Sequence, residues 1–359
     1  MKVLTLIPVG GTLEFSLLLN KQPDPIAQGR IRGYRSRDNG RAAVEEIAGL
    51  CLESEFKGNP DAIAVRCAFG GTRFAGPAVV GPAVLEALEE MQGQAPLHIP
   101  ALLELLKHCG QTFEDVPQVV AFETSFFADL PARECSYALD QTKPSAQSVR
   151  RYGFHGILHQ EACTLASHRR SMSGANGPAR IASICLEAQP ELAAVIGYRP
   201  VMVTSGATPL EGIPAHTSCG NLDPSIVTAL AEKKGWGPEQ INTVLTQQSG
   251  LLGLVGRAVT FDELFSSEDE ELTPVREIIQ YRILQECGAA AAAMGGLNTV
   301  VFSGRYAEAG KKLGPWLISR LKAGIEDEIN LELYPGSLER AVADSAVVAL
   351  IQQRPARAS

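Results

Sequence analysis

RRYGFHG, residues 150–156, is the stretch on which the reading of this chain turns. Two arginines, a tyrosine, a phenylalanine and a histidine crowd around Gly153 and Gly156. Glycine beside an aromatic lets backbone come close to something, either another strand or a ligand. One reading is a tight βα corner with Phe154 packed inside. The other is a corner that presents His155 to a substrate.

Outward from that corner, apolar runs and turn residues divide the chain. Residues 3–7 predict a buried strand, and residues 12–18 its hairpin partner across Gly10 and Gly11. Residues 62–68 and 119–122 predict further strands, and residues 82–91 and 100–108 helices, with Gly110 as a helix stop. After the corner come a helix at 159–168, a strand at 180–186 and a strand pair at 192–196 and 201–204. Helices at 224–234, 274–293 and 307–323 and a strand at 299–302 complete the pattern, with a polar tail at 352–359. Two rounds of short strands followed by βα units predict two α/β lobes of related plan.

Composition bounds the function. A chain of 359 residues, 45% hydrophobic and 20% charged, is too long for one ordinary core and predicts two domains. Its net charge of −8 and lack of a basic stripe argue against a nucleic-acid partner. The opening MKVLTLIPVGG reads as a first strand rather than a signal peptide, and the alanine-rich run at 288–294 is too short to span a bilayer. Eight cysteines form no CxxC pair and no zinc spacing, which predicts reduced thiols and a cytoplasmic setting.

RRYGFHG, APLHIP (95–100), TPLEG (208–212), SGLLGL (249–254) and the opening MKVL together resemble the acetate kinase (acetokinase) family, in order and approximate spacing. The resemblance implies an α/β fold of two duplicated lobes of the actin, sugar-kinase and chaperone-ATPase superfamily, closing on a central cleft. It implies lobes at 1–148, joined by a C-terminal helix at 339–359, and at 149–338. It implies a homodimer moving a phosphoryl group between ATP and a short-chain carboxylate with Mg²⁺.

Residue by residue, the resemblance assigns His155 to stabilising the transferring phosphoryl group and His98 to the same site. Arg66 takes the carboxylate or phosphate grip, a role that suits a bidentate guanidinium. Glu123 keeps a carboxylate for a metal-linked role. The acyl pocket falls on Ala68, Leu97, Phe154 and Pro209; Ala68 replaces a larger side chain, so a longer acyl group is expected to fit. The nucleotide positions fall on Gly10, Gly11, Thr12, Phe261 and Gly304, and the metal-binding glutamate on Leu338 or Glu339. His159 and His168 read as packing or helix-surface residues, and His108 as a residue near a helix end.

The departures gather on the nucleotide side. In place of the family's NAGSSSLK, the chain puts Ile7 for the asparagine, Gly10 for a serine and Glu14 for the lysine. Glu14 either repels a polyphosphate or points away from it. The glycine-rich LGNG loop is replaced by Glu187-Ala188-Gln189-Pro190, which removes backbone donors. Ser218 replaces an arginine, leaving His216 nearby as a cation only when protonated. Asp262 replaces another arginine, Phe127 a histidine, and Arg305-Tyr306 part of a glycine-rich turn. Two readings stay open: a phosphotransferase with weak activity or a changed donor preference, or a non-catalytic relative that binds an acyl ligand or serves in an assembly.

Overall fold

The computed structural model describes residues 1–20, 22, 24–53, 58–144, 149–322 and 328–353. The chain folds as two compact units, Met1–Ala128 with Gly336–Ser359, and Asp129–Pro335.

The first unit opens with the hairpin of β1 (Lys2–Val9) and β2 (Thr12–Leu19). Its turn needs positive φ at Gly10 and Gly11, +52° and +77°, a region side-chain-bearing residues avoid. β3 (Ala27–Arg32) adds antiparallel to β2, and α1 (Gly40–Glu53) follows. β4 (Ala62–Cys67) then runs parallel to β1. After β5 (Ala78–Val79), α2 (Pro82–Glu90) and α3 (Ile99–Thr112), β6 (Gln118–Phe122) pairs parallel with β4. The sheet order is β3-β2-β1-β4-β6-β5. Val3, Leu4, Leu6 and Ile7 are all buried, as both faces of β1 are covered. The C-terminal helix, Leu338–Gln353, packs on β1, β4 and β6.

The second unit begins with the short α4 (Ala132–Cys135) and α5 (Gly156–Met172). β7 (Arg180–Cys185), β8 (Glu191–Ile196) and β9 (Arg199–Val203) form an antiparallel meander. Helices α6 (Pro224–Lys234), α7 (Pro238–Gln247), α8 (Gly250–Val255), α9 (Phe261–Ser266) and α10 (Thr273–Met294) follow. β10 (Thr299–Ser303) lies parallel to β7; α11 (Gly310–Leu321) then leads to β11 (Asn330–Leu333), parallel to β10. The order is β11-β10-β7-β8-β9. β3-β2-β1-β4-β6 of the first sheet thus matches β9-β8-β7-β10-β11 of the second, a three-strand meander extended by two parallel strands in each.

One expectation is corrected. Gly110 does not stop a helix: α3 runs through it to Thr112. A Cβ at Gly110 would lie 3.2 Å from the Gln118 amide nitrogen, so the glycine serves close packing of α3 on β6. The left-handed residue beyond the helix is Asp115. Of the helix expected at 307–323, Ala307–Ala309 is a 3₁₀ turn before α11, and residue 323 lies outside the described residues. Residues 354–359 of the expected terminal helix and tail, and residue 148 at the expected lobe boundary, also lie outside them.

Candidate active site

Arg66 and Glu123 come together because β4 and β6 are parallel neighbours. Arg66 is the penultimate residue of β4, and Glu123 follows the last residue of β6. Both therefore stand at the carboxyl ends of strands, where open α/β sheets place ligands. Arg66 Nε donates to Glu123 Oε1 at 2.7 Å, and the Glu123 side chain is 1% exposed. The Glu123 N–H donates to the Cys67 carbonyl, which fixes the backbone beneath the pair.

His98 caps the start of α3 and keeps an exposed surface. Even so, the protein packed around its ring disfavours the charged form. With repulsion from Arg66, this holds its pKa below the ordinary histidine value. Ala68 is half-buried, whereas Leu97 is 83% exposed. Gly10 and Gly11 are exposed at their turn, with Thr12 half-buried. Glu14 faces Arg30 directly across the β2–β3 ladder, with Arg30 Nε 3.1 Å from Glu14 Oε1, so its charge is met within the sheet. Glu339 lies half-buried in the first turn of the C-terminal helix.

In the second unit, the 150–156 corner leads directly into α5. Its anchor is Glu191, the first residue of β8, which is fully buried. The Glu191 carboxylate accepts the Phe154 N–H at 2.9 and 3.2 Å and the His155 N–H at 3.0 Å. The ring of His159, also fully buried, approaches it at 3.3 Å and contacts Ser183 Oγ through Nδ1 at 2.8 Å. Burial alone would raise the Glu191 pKa, but hydrogen bonds from His159 and Ser205 and the nearby imidazoles leave it lowered. His155 Nε2 lies 2.9 Å from the Gln189 carbonyl oxygen.

Arg151 ties the same corner to the TPLEG loop. Its guanidinium donates to the carbonyls of Thr204 and Ser205 and, at 2.6 Å, to Glu211 Oε1. Tyr137 donates its hydroxyl to the other Glu211 oxygen and accepts the Ala207 N–H. Burial and the Glu211 hydrogen bond push the Tyr137 pKa up to about 12. Phe154 is buried, and Pro209, on the braced loop, is half-buried. A cavity of about 600 Å³ lies against this loop, lined by Tyr137, Thr208, Glu211, Cys219, Leu222 and Leu245 among others.

Phe261 and Gly304 meet a third arrangement. Phe261 is 0% exposed, and its ring packs 4.9 Å from His216 and 6.1 Å from Tyr306, centroid to centroid. Burial holds His216 below the ordinary histidine value, so it is uncharged at neutral pH and supplies no replacement cation. Gly304, at φ +90°, passes so close to Leu186 that a Cβ would lie 2.7 Å from its carbonyl oxygen. The next backbone N–H, of Arg305, donates to Glu187 Oε1 at 2.8 Å, and Arg305 Nε lies 3.8 Å from Glu187 Oε2.

Glu191, Arg151 and Glu211 escaped the sequence reading. Glu191 had one available signal: it is the single charged residue in the apolar strand ELAAVI. His159 read as a packing or helix-surface residue, and the pairing that explains its burial needs a residue 32 positions away. Among the described residues, no cluster of three or more His, Cys, Asp or Glu side chains could hold a metal ion, and none of their helices is long and apolar enough to cross a membrane. All eight cysteines are unbridged thiols.

Two sheets of one repeated plan define an α/β protein of the actin, sugar-kinase and chaperone-ATPase fold. The fold matches a crystal structure of Porphyromonas gingivalis acetate kinase with TM-score 0.82 and 24% identity, covering 97% of this chain and 99% of that one. It matches a Francisella tularensis propionate kinase with TM-score 0.83 and 22% identity, covering 96% and 98%. The acetokinase family model matches residues 38–345, and the chain belongs to that family. It is 34% identical over 254 residues to the acetate kinase of Thermosipho africanus, a match spanning 69% of this chain and 62% of that protein. With the acetate kinase of Clostridium beijerinckii the identity is 28% over 339 residues, 86% of this chain and 84% of that protein.

Proposed function

We propose that this chain moves a phosphoryl group between ATP and a short-chain carboxylate, making or consuming an acyl phosphate. The observation that carries the reading is the charge and donor arrangement at one strand end of the first unit and one helix start of the second. One is Arg66 oriented by Glu123, and the other is His155 set in a corner anchored by Glu191. In the forward direction a carboxylate oxygen forms the new bond to phosphorus as the bond to ADP breaks. A carboxylate is already deprotonated at neutral pH, so the step needs no general base. It needs charge neutralisation and alignment, which suits a guanidinium and an imidazole.

In this reading Arg66 grips the carboxylate or phosphate, with His98 beside it, and His155 contacts the migrating group. Ala68, Leu97, Phe154 and Pro209 bound the acyl chain; Gly10, Gly11, Thr12 and Gly304 serve the nucleotide, and Phe261, fully buried, acts only as packing behind the His216 and Tyr306 rings. Magnesium, when bound, neutralises charge on the donor phosphates. Glu123 is buried against Arg66, and Glu339 lies on a separate helix, a donor set that does not fit a cation held by protein alone. It fits one carried in by the phosphates, for which one or two carboxylates suffice. The proposal extends to two lobes at 1–148 with 339–359 and at 149–338, a homodimer and a cytoplasmic setting.

The test is acyl phosphate formation from ATP, Mg²⁺ and acetate, propionate or butyrate at matched concentrations. Turnover abolished by Arg66→Ala and His155→Ala supports the reading; no turnover with any acid opposes it. A second reading, an acyl-ligand-binding or assembly subunit, is favoured by the complete burial of Phe261 and the pairing of Arg305 with Glu187. It predicts thermal stabilisation by acetyl phosphate and none by ATP with Mg²⁺.

A further inference from the structure

We propose that Glu191 is the positioning residue of His155, an inference that rests on the reading of His155 as the phosphoryl-contacting histidine. Two residues of one turn, Gln189 and Glu191, hold both the backbone and the ring of His155. The Glu191 carboxylate takes the Phe154 and His155 N–H groups together, at 2.9 and 3.0 Å. These N–H groups lie where α5 begins, and no side chain of the helix's own first turn caps them: His155 stands at the cap position without a side-chain cap bond. The two N–H groups that lead into the helix are therefore met by a full negative charge from another element, close to the positive end of the helix dipole.

A neutral acceptor would satisfy the same donors at less cost, because a buried carboxylate must recover its lost hydration. At Glu191 the charge is met from three directions: the two N–H groups and the His159 ring at 3.3 Å. His159 is itself held by Ser183, so the carboxylate cannot swing without breaking a second buried contact. The ring of His155 is fixed by a different atom of the same turn. A carbonyl oxygen has no proton to give, so in the contact with Gln189 it is Nε2 that donates. That assigns the neutral ring its Nε2–H tautomer, so Nδ1 donates to a phosphoryl oxygen only in the imidazolium form. Movement of the 189–191 turn thus shifts the position and the tautomer of His155 together.

The test compares wild type with Glu191→Gln and Glu191→Asp. Glutamine keeps the size but aims an amide NH₂ at donors that need acceptors. Aspartate keeps the charge and is one methylene shorter. Long-range ¹⁵N–¹H spectra of the His155 ring, taken without substrate, are expected to show one Nε2–H tautomer in wild type and a changed or averaged pattern in Glu191→Gln. In the phosphotransfer assay kcat falls about 100-fold, as an ångström-scale misplacement does, while KM for the carboxylate stays within about threefold. Glu191→Asp recovers part of kcat and of the wild-type ring pattern. Unchanged His155 signals in Glu191→Gln overturn the proposal, as does an equal loss of kcat in both variants. If Glu191→Gln fails to fold, Glu191→Asp decides: an unperturbed ring pattern overturns the proposal. A wild type with no turnover counts against the phosphotransfer reading, and the spectra still decide the positioning.

Discussion

Arg66 and Glu123 form a buried ion pair, Nε to Oε1 at 2.7 Å, at the carboxyl ends of two adjacent parallel strands. Removing Arg66 takes the guanidinium away from a Glu123 carboxylate that is only 1% exposed. Arg66→Met is expected to lower unfolding free energy by about 3 kcal/mol. Replacing both, Arg66→Met with Glu123→Leu, restores most of that loss because no unpaired charge remains. Urea unfolding of the three variants checks this. A double variant no more stable than the single one contradicts a paired role.

His98 gives a pH signature. Burial and the Arg66 charge lower its pKa in the folded chain, so the unfolded chain binds the proton more readily. Its contribution to stability is complete above the ordinary value of 6.5 and is lost as pH falls below that value. In Arg66→Gln the His98 pKa rises, since one of its two lowering causes is gone. Proton NMR titration of the His98 ring measures both, and a ring titrating at the same pH in wild type and Arg66→Gln excludes the coupling.

Phe261 behaves as core. It is 0% exposed and packs within the second unit's apolar cluster. Phe261→Ala is therefore expected to cost about 3–5 kcal/mol in stability, a loss read by chemical denaturation. A cost under about 1 kcal/mol is what surface substitutions show and contradicts the packed role.

Glu187 restrains Arg305 beside the segment that replaces a phosphate loop. With Glu187→Gln the guanidinium keeps its charge and loses its counter-ion. ATP–Mg²⁺ is then expected to bind about threefold tighter, the scale of a partly exposed pair. Calorimetric titration reads the change, and weaker or unaltered binding opposes this role for Arg305.

Much of this fold was legible because short-range signals agree with it. Gly10-Gly11 between two apolar runs can only turn, and the 224–234 expectation matches α6 at both ends, with Pro224 at its first turn and Gly235 left-handed at its close. β3 was not legible: Gly29 sits in its middle, a weak strand residue by propensity. The structure shows why it is there, since a Cβ would lie 2.6 Å from the Phe15 ring on β2. The candidate site divides the same way. Motif residues such as His155 announce themselves in RRYGFHG. The groups that hold them do not: Glu191 lies 36 residues from His155 and Glu211 lies 60 from Arg151, separations that only the sheet's return path closes. For Glu14 the sequence left two orientations open, and only the β2–β3 register puts Arg30 opposite it.

Phosphorus NMR of acetyl phosphate mixed with ADP and Mg²⁺ tests the central claim most directly. Wild type should consume the acetyl phosphate signal while the ATP resonances grow, and His155→Ala should leave both unchanged over the same interval. An acetyl phosphate signal that persists with wild type, or that disappears equally fast with His155→Ala, would contradict the account.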